Sequence, residues 1–363
     1  MVKGRSTMAS NALDQLYTKV ARKVLTETLQ VKKGDSVTVE TWDNGLPFAR
    51  RALAEARSMG CTGMMIYEDE WAYVEGVRKA PAGVVGKMGR NEYALLSGTD
   101  SYIFIPGQAL GSLSRTLNPA ERTKSTSYNS SWYEAAEKAG LKGARLSFGY
   151  VGKDLARALG NKPEDMVRSQ LRAALADYGQ ISAAAGAVAP LLADGASVQV
   201  GSGKSALEFS LKGELTVEDG VVDDNDRATG NNMAYVPPGF VSKEVDPESA
   251  RGSIVVTDSL TDLGVVPRVR LEFRDGRVVS WESEAKGTMK KVFDSIPPND
   301  RRLRLLVLGL NPDLGYGNGQ DRFVEGALNL SGFGFRGVVK GGNLKVDGKS
   351  VVTAGRPSVS SHG

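Results

Sequence analysis

The chain has 363 residues, enough for two domains, with 41% hydrophobic and 24% charged residues, the mix of a soluble globular protein. Lysine and arginine total 46 against 42 acidic residues, and a net charge of +4 over this length carries no clear nucleic-acid signature. One cysteine, Cys61, and one histidine, His362, exclude a disulfide framework, a thiolate zinc centre, a histidine-rich metal site and a histidine-based triad. Acid–base work is left to carboxylates, lysines and tyrosines. Any metal would need oxygen ligands of the kind that magnesium, calcium or manganese accept.

The opening 1–11 is polar and lacks a secretory apolar core. The longest apolar run, 183–193, is broken by Gly186 and Pro190 and falls short of the roughly 20 residues that span a bilayer. A cytoplasmic protein with no membrane partner is expected. Leu13, Leu16, Val20 and Val24 recur at helical spacing. Ser36 to Thr41 alternates like a strand, and the alanine-rich stretch Leu46 to Ser58 reads as a helix stopped by Gly60. Strands are expected at 62–67, 101–105 and 144–148, with helices at 132–139 and from Pro163 to about Ala193. Strand and helix in alternation predict βαβ units on a mostly parallel sheet.

Beyond Gly195 the pattern changes to short strands between Gly, Asp and Asn turns, at 197–200, 206–212, 253–257, 269–273 and 277–281. Asp275-Gly276 marks a hairpin, 287–296 a helix and 346–352 a closing hairpin. The expected organisation is an α/β domain over 1–190, a β-rich domain over 191–356 and a disordered serine-rich tail over 357–363.

Gly201-Ser202-Gly203-Lys204-Ser205 lacks the first glycine of a phosphate loop and leads into a strand pattern, so it reads as a hairpin turn. Asp223, Asp224 and Asp226 lack the glycine and distal glutamate of a calcium loop and read as a solvated turn. Glu244 and Asp246 stand two apart on a possible strand, and Asp321 and Glu325 four apart, one helical turn if that segment is helical. The segments around Gly230-Asn231, Pro237-Pro238-Gly239, Gly309-Leu310-Asn311 and Tyr316-Gly317-Asn318 read equally as irregular turns or as the rim of a cleft. Trp42, Trp71, Tyr128, Trp132 and Tyr133 carry no interleaved basic stripe and read as core. Lys340, Lys345, Lys349 and Arg356 read as a solvated hairpin face.

The order of these segments resembles the thermophilic aminopeptidase T family of metallopeptidases and is similar to the dihydroxypyridine dioxygenases. The resemblance rests on Leu29 to Val37, Ser205 to Gly213, Gly230-Asn231 leading to Pro237–Val241, Leu303 to Asn311, and Asp321 to Leu330. It implies an aminopeptidase T-like fold, and a homodimer. It also implies a pair of metal ions held by glutamate, histidine and aspartate, but the implied glutamates fall on Phe240 and Leu305 and the implied histidine on Asn329. The later His-x-Asp pair has no counterpart, since Gly341-Gly342-Asn343 passes straight into the final hairpin. The expectation is therefore a chain without the family's metals or any cofactor, binding a small molecule or peptide or serving in assembly, with a cleft at Phe240, Leu305 and Asn329. Two alternatives stand beside it. One is an aminopeptidase whose divalent metal is held by Glu244, Asp246, Asp321 and Glu325. The other is a metal-free enzyme working on a small metabolite through Lys204, Glu208 or Tyr316.

Overall fold

The computed structural model describes residues 3–358, apart from 82, 109–112, 114–115, 119, 122–123, 125, 203 and 262–263. The chain forms two compact units. The first takes the residues up to Leu175 together with Gly220–Pro237, and the second takes Ala176–Asp219 together with Pro238 onward. A single cut near 190 is thus replaced by three crossings of the chain. Residue 175 ends the first pass, and 220–237 returns to complete the first unit. Most of the expected tail, including His362, lies outside the described residues, while Arg356–Pro357 forms a short strand. Among the described residues, no helix is long and apolar enough to cross a membrane.

The first unit is built on five parallel strands: β1 (Ser36–Trp42), β2 (Thr62–Glu68), β3 (Ser101–Ile105), β4 (Lys142–Leu146) and β7 (Met233–Val236), in the order β2-β1-β3-β4-β7. Helix α1 (Lys3–Lys23) and α2 (Leu46–Ser58) cover one face. Phe48, Ala49, Ala52 and Ala56 make a single buried stripe on α2, and the small alanines let it lie close to Val37, Val39 and Ile103. Gly60, at φ +84°, ends this helix as expected from the sequence. Helices α3 (Glu70–Lys79), α4 (Arg90–Ser97) and α5 (Thr126–Ala139) follow. Leu96 and Ala136, from α4 and α5, pack with Tyr102 on the other face of the sheet. The long helix expected from Pro163 is two helices. Pro163–Ala173 belongs to the first unit and Tyr178–Val188 to the second, with Asp177 capping the latter by accepting from Gln180 N at 3.2 Å. The acidic turn is the start of a five-residue helix, Asp224–Ala228, capped by Asp223.

The second unit is antiparallel. Its strands include β6 (Ser205–Glu218), β8 (Phe240–Val245), β9 (Arg251–Thr261), β12 (Leu305–Gly309), β13 (Leu328–Ser331) and β14 (Arg336–Val339). The 14-residue β6 pairs near its start with β9 and towards its end with β8, so the pairings β6–β8–β12–β13–β14–β9 close on themselves. Leu207, Val241, Ile254, Leu306, Leu308 and Leu330 belong to the core that these strands share. The Gly201 hairpin joins Ser197–Ser202 to β6, so a strand follows it and no phosphate-cradling helix does; Gly203 lies outside the described residues.

The glycine- and asparagine-rich segments of this unit are structural knots. Fully buried Asn311 donates from Nδ2 to Pro238 O (2.8 Å), accepts on Oδ1 from Asp313 N (3.0 Å) and donates its own N–H to Phe323 O (2.8 Å). A β-carbon at Gly309 would lie 2.1 Å from Val324 O and 2.7 Å from Arg322 O. Gly309→Ala is therefore expected to destabilise the protein by about 1–3 kcal/mol, read as a lower urea midpoint with an unchanged m-value.

Candidate functional site

The residues expected to line a cleft stand on three neighbouring strands of the second unit, and the register spreads them apart. Phe240 lies opposite Gly309, Leu305 opposite Glu244, and Asn329 opposite Val307. Alternation puts all three side chains on one face, but Phe240 and Leu305 are separated by four positions along β12, roughly 13 Å. Phe240 is buried and stacked on Phe323, with ring centroids 5.1 Å apart and planes 6° from parallel. Asn329 is buried with its Nδ2 lacking a hydrogen-bond partner among the described residues.

The alternative carboxylates are separated too. Glu244 is exposed beside Leu305 and accepts from Glu214 N (3.1 Å). Asp246 sits just past β8 and accepts from Glu248 N (3.1 Å). Asp321 is buried at the start of a single 3-10 turn that ends at Phe323, so no helix carries it and exposed Glu325 on one face. Its Oδ1 accepts from Gly317 N (2.8 Å) and Asn318 N (3.2 Å). Its Oδ2 lies 3.4 Å from the Lys340 ammonium, which is also 2.5 Å from Asp258 and 4.8 Å from the centre of the Tyr316 ring. Lys340 is thus the centre of an ion cluster and no part of a solvated face. Burial pulls its ammonium down, but the hydrogen bond and charges of Asp258 and Asp321 outweigh that and hold it above its ordinary range. Burial of Asp321 pushes its carboxyl up, against the opposing pull of Lys340 and of the Gly317 and Asn318 N–H groups. Lys204 is exposed in the β6 hairpin turn, and Glu208 pairs with Arg251 (3.2 Å). Tyr316, beside Lys340, does not join them as a group. Among the described residues, no three His, Cys, Asp or Glu side chains gather as a metal site.

The first unit holds a second candidate, which the sequence reading missed. In its sheet β1 lies between β2 and β3, so the chain leaves the carboxyl ends of β1 and β3 in opposite directions, the point where open parallel sheets carry ligands. A cavity of about 560 Å³ opens there, lined among others by Glu40, Trp42, Glu68, Glu92, Phe104 and Tyr128. The register aligns Ile66, Glu40, Phe104, Arg145 and Tyr235 in one row across the five strands. Glu40 Oε2 accepts the Tyr102 hydroxyl, and Glu92 Oε1 accepts the Tyr128 hydroxyl. Burial pushes the Glu40 carboxyl up; the bond from Tyr102 opposes this, while the charges of Glu68 and Glu92 reinforce it. Glu68 is raised by burial, then by Asp69 and Glu92.

Arg145, two strands away, does not neutralise Glu40. Its guanidinium faces the rings of Phe104 (5.3 Å), Tyr150 (5.5 Å) and Tyr235 (5.9 Å) and donates to the Tyr150 hydroxyl. Trp42 and Tyr128, expected as core, instead line the cavity, while Trp71 is 62% exposed.

No family model and no curated protein matches the chain at the level of sequence. Solved structures do match its fold. AmpT from Thermus thermophilus aligns at 15% identity with a TM-score of 0.65, over 95% of this chain and 99% of that one. The 2,5-dihydroxypyridine dioxygenase of Pseudomonas putida KT2440 aligns at 14% identity with a TM-score of 0.64, over 95% and 98%. The expected α/β unit with a β-rich partner, aminopeptidase T-like in fold, is what the chain has.

The raised Glu40 sets a sign for pH. Its folded pKa lies above the unfolded value of about 4.3, so its contribution to stability is complete below that pH and is lost as pH rises through the folded value. Glu40→Gln keeps an acceptor for Tyr102 without the charge. Its melting temperature relative to wild type, followed by circular dichroism, is expected to rise between about pH 4 and pH 7.

Proposed function

We propose that this chain is a metal-independent binding protein that keeps the aminopeptidase T-like architecture without its peptidase chemistry. One observation carries the reading. On the face of the second unit where the resemblance implies metal ligands stand Phe240, Leu305 and Asn329, and the acidic groups nearby are held by the chain's own ammonium, Lys340. Two apolar side chains and one amide do not suit a pair of divalent cations, which need anionic oxygen or imidazole donors. A metal-bound water that attacks a peptide bond has no support here. Of the substitute carboxylates, Glu244 and Asp246 accept from backbone N–H groups, Asp321 is held by backbone and Lys340, and Glu325 is exposed, which speaks against the metallopeptidase alternative. A small molecule is the ligand we assign to the protein, in the cavity at the crossover of the parallel sheet. A homodimer and a cytoplasmic setting complete the proposal.

Elemental analysis of protein purified without chelator is expected to find transition metal far below one ion per chain. Aminoacyl p-nitroanilides should be released no faster than the blank, with or without added cobalt, zinc or manganese. Two tightly bound ions per chain, or chelator-sensitive release of nitroaniline, would overturn the proposal.

A further inference from the structure

We propose that the cavity at the β1–β3 crossover of the first unit binds a small organic ammonium ion, its charge against Glu40 and Glu68 and its apolar body against Trp42 and Phe104. This rests on the reading of the chain as a small-molecule binder and names the class of ligand.

The first argument is charge. Five carboxylates (Asp43, Glu40, Glu68, Glu70 and Glu92) and no lysine or arginine stand among the described lining residues. Largely enclosed Glu40 commits Oε2 to the Tyr102 hydroxyl, and its other oxygen has no partner among the described residues. Glu68 is half-buried with no hydrogen bond or ion pair of its own. Glu92 is engaged differently, accepting from Tyr128 and from Gly89 N at the start of α4. Burying carboxylates beside one another without a counter-ion is unfavourable, and a cation entering the cavity relieves that cost. Arg145, in the same row of the sheet but beyond Phe104, is held by aromatic rings and Tyr150.

The second argument is shape and surface, which separate an organic cation from a metal ion. Trp42 packs edge-on against Tyr73, with ring centroids 5.4 Å apart, and both line the cavity with Phe104 and Tyr128. Aromatic walls attract an ammonium through the ring face and exclude water from its alkyl groups. A volume of about 560 Å³ suits a ligand of small-metabolite size. A hydrated divalent cation, by contrast, takes oxygen donors in a tight cage, and no three carboxylates converge among the described residues.

The test is calorimetric titration of the full-length protein with three probes: phenethylammonium, benzyltrimethylammonium and agmatine. At least one is expected to bind about tenfold or more tightly than its uncharged counterpart, such as 2-phenylethanol for the first, and phenylacetate should not bind. Glu68→Gln, which breaks no hydrogen bond and should fold normally, is expected to weaken that probe about tenfold. Glu40→Gln should do likewise, while Glu214→Gln in the second unit should bind as wild type. Failure of all three probes overturns the inference, as does equal binding of neutral and charged partners or wild-type affinity in Glu68→Gln. Magnesium or calcium binding there in place of the ammonium overturns it as well. Each of these results leaves the metal and peptidase measurements above untouched, so the two readings fail separately.

Discussion

A parallel strand between two parallel neighbours must send its chain across a face of the sheet, and the direction of that crossover decides where the sheet has an opening. Here β1 is that strand. Ser36 to Trp42 pairs with Thr62–Glu68 on one side and with Ser101–Ile105 on the other. Alternation then divides its residues. Val37 and Val39 go into the apolar layer beneath α1 and α2, and Glu40 and Trp42 go to the opposite face, at the carboxyl end where the two crossovers part. Glu40 is half-buried for this reason: the register offers it no other place, and Tyr102 from the next strand is there to meet it.

The second unit handles charge in the opposite way. Lys340 follows β14 directly, where its ammonium reaches Asp258 on β9 and Asp321 in the loop that covers Phe240. An ion pair enclosed to this degree contributes little net stability but fixes the partners' geometry. The loop from Asn311 to Val324 is therefore tied at several points: by Asn311 to Pro238, by Phe323 to Phe240 and by Asp321 to Lys340. On the proposed reading, the chain's own ammonium takes the place of the cations that the resemblance implies. Nothing of the sort is seen around Glu40 and Glu68, where no lysine or arginine stands among the described residues lining the cavity.

Much of the architecture was legible because it is local. Ser-Val-Thr-Val-Glu-Thr announces β1 by alternation, and Ala-rich 46–58 ending at Gly60 announces α2 by its stripe and stop. Asp275-Gly276 announces the hairpin between β10 and β11, the strands at 264–274 and 277–283. The misreadings have specific causes. The continuous apolar pattern after Pro163 hid a break that only the capping role of Asp177 reveals. The four residues of β7 are too few to show a period, and their partner β4 lies far back in the chain. Lys340 looks like one more surface lysine until its distant acidic partners are in place. The carboxylates of the cavity come from β1 and the turn after it, from the end of β2 and the start of α3, and from α4, so no single sequence spacing unites them. The best sequence signal was the glutamate inside an otherwise Val/Thr strand, at a position where a buried parallel sheet ordinarily carries an apolar side chain.

The return of residues 220–237 to the first unit has a bearing on biosynthesis and on dissection of the molecule. Because β7 flanks β4, the parallel sheet has an unfinished margin until more than two hundred residues have left the ribosome, by which time β5 (Ser197–Ser202) and β6 of the other unit have also emerged. A fragment stopped near 190 would present Lys142–Leu146 as a naked hydrogen-bonding edge, open to pairing with another copy. The two units are thus sewn together by the chain itself, and neither can be cut free at one point without leaving a seam open.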